Sequence, residues 1–234
     1  MKILAIETSA KAVSAAVVES GEVLAYAYQC SGLTHSRTLM PMVEDMLKNA
    51  ELTLDDINSL AVAAGPGSFT GLRIGVSALK GLAWARELPC YGVSTLEAMA
   101  QNLAHMDGLL ICAMDARRNQ IYNAVFEAKG GTLTRLCDDR AVGLDVVAAE
   151  LKDDPRPKFV LGDGGKLCYA ALKNAGIDCT LAPAALVQQN AVGVALAAEK
   201  LSPVSGAELQ PVYLRVSQAE RERAARLSKE ANKT

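Results

Sequence analysis

Residues 60–85 read LAVAAGPGSFTGLRIGVSALKGLAWA, and the rest of the chain is organised around them. The apolar run at 60–64 has the length of a strand. After it, Leu72, Val76, Leu79 and Ala83 recur at the spacing of a helix. The stretch therefore predicts a strand, a tight Gly-Pro-Gly turn and a helix, which is the alternation of an α/β protein.

Two interpretations fit the turn at residues 65–71. The free backbone N–H groups at the start of a helix can bind an anion, so the turn is a candidate phosphate site. The P-loop pattern, however, has a Lys directly after its last Gly, whereas Leu72 and Arg73 follow Gly71 here. The other interpretation is a structural turn that leads into a tightly packed helix.

The predicted helix contains three glycines, Gly71, Gly75 and Gly81. Each glycine inside a helix costs about 1 kcal/mol relative to alanine, so a packing reason is expected. Gly71, Gly75, Ala78 and Ala85 fall on one face, which favours close approach of a second helix. A helix from a partner protein is the first candidate.

Composition and charge narrow the class of protein. Half of the 234 residues are hydrophobic and only 4% are aromatic, which is typical of an α/β protein with one large or two small domains. The net charge of −2 favours neither nucleic acid nor membrane as a direct partner. Without a signal-peptide pattern or an apolar run of about 18 residues, we expect a cytoplasmic protein with reduced, buried thiols at its six scattered cysteines.

The same strand plan occurs twice along the chain. Residues 3–28 predict three antiparallel strands joined by short turns, and residues 109–136 repeat the pattern. Glu7 and Asp115 close the first strand of each set. The repetition predicts two related α/β halves. Our expected boundaries are a first domain at 1–107, a second at 108–216 with a helix at 186–201 that packs back on the first, and a charged tail at 217–234.

Two more helices are predicted between these strands. Residues 35–50 carry an apolar stripe, with Pro41 expected to bend the helix or mark a shift in its first turns. Methionines on that stripe fit either a core or an adaptable partner surface. Ser94 and Glu97 have capping-box spacing and predict a helix that runs to about His105.

Several segments together resemble one family. They lie at 3–9 (ILAIETS), 35–37 (HSR), 65–75 (GPGSFTGLRIG), 80–83 (KGLA), 92–97 (GVSTLE), 115–117 (DAR) and 211–215 (PVYLR). The chain is similar over its whole length to the TsaB family, also called YeaZ, of bacterial tRNA threonylcarbamoyladenosine biosynthesis proteins. The segment GPGSFTGLR is highly specific.

The resemblance implies an α/β, duplicated actin/hexokinase-like fold (ASKHA, ribonuclease H-like) with two small mixed-sheet domains. It also implies that the protein supports TsaD, a catalytic paralogue that moves a threonylcarbamoyl group onto an adenosine beside the anticodon. The resemblance further implies that the ATPase TsaE assists TsaD and that the protein contacts tRNA only through the complex.

Histidine content argues against metal catalysis. The catalytic paralogue resembles a metal enzyme with two histidines one helical turn apart on the helix that matches residues 35–50. In this chain Leu39 follows His35 at that spacing, and the only other histidine is His105. We expect neither a metal nor a cofactor, and His35 is interpreted as a helix-start hydrogen-bonding residue or an interface residue.

A vestigial nucleotide cleft is the site that the resemblance implies between the halves. Its candidate residues are Glu7, Thr8, Ser9, Asp115, Arg117 and Gly164. The family usually has Asp where this chain has Glu7, and the longer side chain weakens a nucleotide site there. Asp115 and Arg117 fit either the cleft or a pair that stabilises a hairpin turn.

Two classes of function remain open. The first is a non-catalytic scaffold whose helices form a seam with TsaD, or with a second copy when TsaD is absent. The seam residues are His35, Leu39, Met42, Val43, Met46, Gly71, Ile74, Gly75 and Ala78. The second class is an enzyme of the same fold, either a small ATPase or kinase, against which chain length and Glu7 argue, or a metallopeptidase, against which the histidine count argues.

Overall fold

A computed structural model describes residues 1–215, so the tail expected at 217–234 lies outside the described residues. The first half contains β1 (Lys2–Glu7), β2 (Val13–Glu19), β3 (Glu22–Gln29), α1 (His35–Asn49), β4 (Ser59–Gly65), α2 (Phe69–Arg86), β5 (Cys90–Ser94) and α3 (Thr95–Ala100). The second half contains β6 (Gly108–Asp115), β7 (Gln120–Lys129), β8 (Thr132–Arg135), β9 (Arg140–Gly143), α4 (Leu144–Leu151), β10 (Lys158–Leu161), α5 (Gly165–Asn174), β11 (Thr180–Leu181) and α6 (Ala191–Ala198).

The two sheets repeat one topology. The first has the order β3-β2-β1-β4-β5, with β1, β2 and β3 antiparallel and β4 and β5 parallel to β1. The second has the order β11-β10-β6-β7-β8, with β6 and β7 antiparallel and β10 parallel to β6. The prediction of a duplicated actin/hexokinase-like fold with two mixed sheets is confirmed.

Each face of the first sheet is covered by helices. On one face, α1 and α2 share a core with β1, β2 and β4. On the other face lies α6, which comes from the second half of the chain and packs against Ile3, Ala16 and Ala61. The first sheet is therefore buried on both sides, which explains why β4 is an unbroken apolar run rather than an alternating one.

The helix expected at 186–201 is shorter in the structure. It spans only Ala191–Ala198, because Asn190 is its N-cap and accepts a hydrogen bond from the Gly193 N–H at 3.0 Å. The residues before Asn190 form turns instead, including a bond from the Leu186 N–H to the Pro183 carbonyl.

The helix that follows Ser94 is also shorter than expected. It is α-helical only at Thr95–Ala100 and continues as a 3₁₀ turn to Leu103. Ser94 accepts a hydrogen bond from the Glu97 N–H at 3.2 Å, which is half of the predicted capping box. The other half is wrong, because the Glu97 carboxylate accepts a hydrogen bond from Arg135 at 2.9 Å instead.

Two further findings concern the chain as a whole. All six cysteines are free thiols, and four of them are buried. In the portion that the structure describes, residues 1–215, every helix is too short or too polar to cross a membrane.

Candidate functional site

Two of the three glycines of α2, Gly71 and Gly75, lie against the residue that follows the protein's own first strand. A Cβ added at Gly71 would overlap the Thr8 carbonyl oxygen, and one added at Gly75 would overlap the Thr8 hydroxyl oxygen. The Thr8 hydroxyl also donates a hydrogen bond to the Gly71 carbonyl at 2.8 Å. The expectation that Gly71 and Gly75 receive a partner helix is therefore wrong, because this close approach is made by residues at the end of β1.

Three of the expected seam residues of α1 belong to the core. Leu39, Val43 and Met46 are only 1%, 2% and 6% exposed, and they pack on the first sheet. Their side chains are not available to a partner, because the apolar stripe of α1 is used to bury that sheet. Met42 on α1, and Ile74 and Ala78 on α2, are partly buried at the margin of this core.

The outward surface of α2 contains residues that the sequence analysis did not select. Ser77, Gly81, Trp84 and Ala85 are exposed and lie on one side of the helix, and Trp84 is 88% exposed. Met40 is exposed on the neighbouring α1. We call these five residues the outer face. The sequence feature that could have indicated this surface is the only tryptophan of the chain, which lies off the apolar stripe of the predicted helix.

His35 holds the start of α1 to the first half of the molecule. Its Nε2 lies 2.7 Å from the Ala10 carbonyl oxygen, and its Nδ1 is buried with no hydrogen-bond partner within residues 1–215. The N-cap residue Thr34 makes no side-chain cap bond, so this imidazole contact fixes the entry to the helix.

The turn at 65–71 is packed against the turn that follows β1. The Ser68 N–H donates to the Ser9 carbonyl at 2.7 Å, and a Cβ at Gly67 would lie only 2.6 Å from that same oxygen. Phe69 stacks on Tyr213 with ring centroids 4.3 Å apart, and Arg73 Nε donates to the Tyr213 hydroxyl at 2.9 Å. These contacts support the structural interpretation of the turn.

The interdomain cleft contains a buried carboxyl group, Glu7. It is 0% exposed, and its Oε1 accepts a hydrogen bond from the Ser9 N–H. Its Oε2 and the Ser9 hydroxyl are buried with no hydrogen-bond partner in the described part of the chain. Burial raises the pKa of Glu7 to about 7, and the negative charge of Asp163 contributes in the same direction.

Asp163, which the sequence analysis did not select, is brought to the cleft by the second half. Gln189 Nε2 donates to its Oδ1 at 2.8 Å. Burial raises the pKa of Asp163, with the charge of Asp115 adding to the shift and that of Lys11 opposing it. The signal in the sequence was the single acidic residue in the glycine turn after β10.

The other candidates of the second half shape the backbone at the cleft. The Arg117 N–H donates to Asp115 Oδ1 at 2.7 Å, so these residues stabilise their own turn. The Gly164 N–H donates to the Ala113 carbonyl at 3.0 Å, and a Cβ there would lie 2.7 Å from the Asp115 nitrogen. Gly164 therefore lets the loop before α5 pack against the end of β6.

Comparison with known proteins identifies the family. The family model described as TsaD, tRNA N6-adenosine threonylcarbamoyltransferase, matches residues 30–214. The tRNA threonylcarbamoyladenosine biosynthesis protein TsaB of Bacillus subtilis is 34% identical over 94% of this chain and 96% of its own length. The chain belongs to the TsaB family. It is therefore a protein of tRNA threonylcarbamoyladenosine biosynthesis.

Two further relatives of the TsaB family agree with this assignment. TsaB of Escherichia coli is 43% identical over 54% of this chain and 55% of its own length. The solved structure of YeaZ from Pseudomonas aeruginosa superposes with a TM-score of 0.77 at 27% identity, covering 91% of this chain and 99% of that one.

The cleft of this TsaB family member does not fit the phosphates of a nucleotide at Glu7. The carboxyl group is fully buried, and the negative charge of Asp163 acts on it. A phosphate placed there would meet two acidic groups and lose its hydration. Within residues 1–215, the structure also contains no group of three His, Cys, Asp or Glu residues arranged to hold a metal ion.

Proposed function

We propose that this protein is a non-catalytic subunit that binds and supports TsaD through the outer face. In this proposal TsaE also binds the complex, and the protein contacts tRNA only indirectly, through the complex. The complex acts in the cytoplasm. Met42, Ile74 and Ala78 lie at the margin of the contact. Without TsaD, the same face pairs with a second copy of the chain.

The observation that carries the proposal is the exposed apolar surface of α2. Trp84 is 88% exposed. Apart from the neighbouring residues and the backbone of α2 itself, no atom lies within 4 Å of a Cβ placed at Gly81. A large aromatic side chain beside a flat, small-residue surface is typical of a binding hot spot. Met40 on α1, a helix that shares the core beneath α2, is also exposed and has an adaptable side chain.

The shared family model supports the choice of partner. Because the model that matches residues 30–214 is described as a threonylcarbamoyltransferase, this chain and TsaD share a fold. Related subunits can pair through equivalent helices, as two identical subunits do in an isologous dimer. The same argument explains why a second copy competes for the face.

Binding measurements with two variants of α2 test the contact. Trp84→Ala removes the aromatic anchor, and Gly81→Arg adds a charged side chain where the structure has open space. We expect each to weaken TsaD binding by about 30-fold or more in titration calorimetry, the effect of losing a hot-spot residue. The matched controls are Leu167→Ala and Ala170→Arg on exposed positions of α5, which should leave binding unchanged.

An activity measurement tests the non-catalytic role. We expect no threonylcarbamoyl transfer to tRNA from this chain with TsaE alone, and transfer when TsaD is added. The Trp84→Ala and Gly81→Arg variants should lose this support in proportion to their lost binding. Transfer in the absence of TsaD, or full TsaD binding by both variants, would contradict the proposal.

A further inference from the structure

The charge of an acidic side chain in the second half acts on a buried carboxyl group of the first half. Glu7 closes β1 of the first half, and Asp163 lies in the loop that connects β10 to α5 of the second. The negative charge of Asp163 acts on Glu7, and Gln189 fixes Asp163 with a 2.8 Å hydrogen bond. Placing two carboxyl groups together without water is unfavourable if both are ionised.

The surroundings of Glu7 offer little to balance a negative charge. It accepts one backbone hydrogen bond, from Ser9, while its Oε2 has no partner within residues 1–215. The groups that act on it are the Ser9 N–H, which favours the ionised form, and the Asp163 carboxylate, which disfavours it. Around Asp163 the charged groups are Asp115 and Lys11.

The same place is a contact between the two halves. Ala10, next to Ser9, packs on the core of the second half. The segment that ends at Arg215 is bonded to β4 of the first half, where the Val212 N–H donates to the Ala64 carbonyl at 2.7 Å, and Arg215 Nη1 donates to the Ala116 carbonyl in the turn after β6 at 2.5 Å. The Ala10 carbonyl oxygen also bonds His35 Nε2 at the start of α1. A change at this junction therefore affects α1, one of the two helices that carry the outer face.

We propose that this junction is a proton-controlled latch. With a proton on Glu7, the neutral carboxyl group stays buried and the halves close around it. When the proton is lost, the carboxylate draws water and the junction between the β1–β2 turn and the loop before α5 opens. No ligand is needed for the change, because the proton moves between Glu7 and solvent.

The direction of the pH effect follows from how tightly Glu7 binds its proton in the closed form and in the open form. Burial raises the pKa of Glu7 from 4.5 in water to about 7 in the closed form. Below 4.5 both forms are neutral, and between 4.5 and 7 only the closed form keeps its proton. Closing is therefore progressively disfavoured as pH rises through this window, by up to about 300-fold in the closed-to-open ratio, and the penalty is constant above it.

Hydrogen exchange on the intact protein tests the latch. Glu7→Gln keeps the size of the neutral side chain and cannot ionise. The opening is measured at the amides of Ser9 and Ser68, whose hydrogen bonds are made at this junction. Comparing variant and wild type at the same pH cancels the intrinsic exchange rate. We expect the wild-type-to-variant rate ratio to rise by about 30-fold between about pH 5.5 and about pH 8.

Glu44→Gln is the matched control, because it is the same substitution at a carboxylate of α1 whose side chain is exposed. Its exchange ratio should not change with pH in this way. A second measurement needs no variant, since the carbon-13 shift of the Glu7 carboxyl group gives its titration directly. A constant exchange ratio, or a Glu7 titration near its value in water, would overturn the proposal.

Discussion

Glycines at two positions of one helix have opposite roles. At Gly75 the absence of a side chain lets α2 lie against Thr8, whereas at Gly81 the space beyond the helix is open. The sequence indicated that some close approach occurs along α2, since glycine lowers helix stability. It did not indicate whether the neighbour is a partner helix or the chain itself, because both satisfy the same spacing.

Alanine substitution separates these two roles. Gly75→Ala places a methyl group on the Thr8 hydroxyl, so we expect the free energy of unfolding to fall by about 1–3 kcal/mol. Gly81→Ala meets no atom and removes the entropic penalty of glycine, so we expect stabilisation by up to about 1 kcal/mol. Urea denaturation of both variants measures the difference. Equal effects of the two substitutions would show that the packing contact with Thr8 is unimportant.

Residues of the cleft were found from sequence only in part. Glu7 was selected because it ends a strand and because the family resemblance implies a cleft there, and the structure shows that it is fully buried, with the negative charge of Asp163 acting on it. Asp163 was missed because its importance arises from the meeting of two halves that are distant in sequence. Local patterns locate the end of a strand, but they do not show which residues from a distant part of the chain lie beside it.

At the scale of elements, the existence of strands followed from the sequence pattern better than the length of helices did. The three strands expected in residues 3–28, the run at 60–64 and the three strands expected in residues 109–136 are present as β1–β3, β4 and β6–β8. The strand β9 was not predicted, because Arg140–Gly143 is short and has no alternating pattern. The helix α6 was predicted too long, because its alanine-rich composition hides the stop and start signals near Asn190.

The contacts of Arg135 join elements of the two halves. Arg135 donates to Glu97 on α3 at 2.9 Å and to Asp139 at 2.6 Å, and its guanidinium lies 4.7 Å from the centre of the Phe126 ring. Ser94 at the start of α3 donates to Asp139 at 2.5 Å. A partly buried guanidinium with two carboxylates is worth more than an isolated surface pair.

Removing this guanidinium should loosen α3 from the second half. Arg135→Met keeps an apolar stem over Phe126 but leaves Glu97 and Asp139 as neighbouring like charges. We expect the free energy of unfolding to fall by about 1–3 kcal/mol, and by less at high salt, which screens the remaining repulsion. A double-mutant cycle with Glu97→Gln isolates the pair. A coupling energy near zero would mean that the ion pair adds nothing to the packing of the stem.

At the scale of the whole molecule, the two halves are joined by α3 and α6 rather than by a linker. Ala98 of α3 packs in the core beneath the first sheet, while Leu96 and Met99 of the same helix belong to the core of the second half. The helix α6 follows the second sheet in sequence but covers the first. The sequence predicted two halves, and the structure shows that two of the four cores contain residues of both halves.

This shared core predicts that the described part of the molecule unfolds as one unit. Val194 lies in the middle of α6 and is 0% exposed, so Val194→Ala removes two buried methyl groups and should lower the free energy of unfolding by about 1–3 kcal/mol. If the halves unfold together, hydrogen exchange of the slowest amides should accelerate by the same factor in β1 and in β6, although the core that contains Val194 is built on the first sheet. Leu172→Ala, in the core of α5 and the second sheet, is the reciprocal test and should accelerate β1 as well. Acceleration limited to the sheet that contains the substitution would mean that the two halves open independently. In that case α6 would only cover the first sheet, without coupling it to the second.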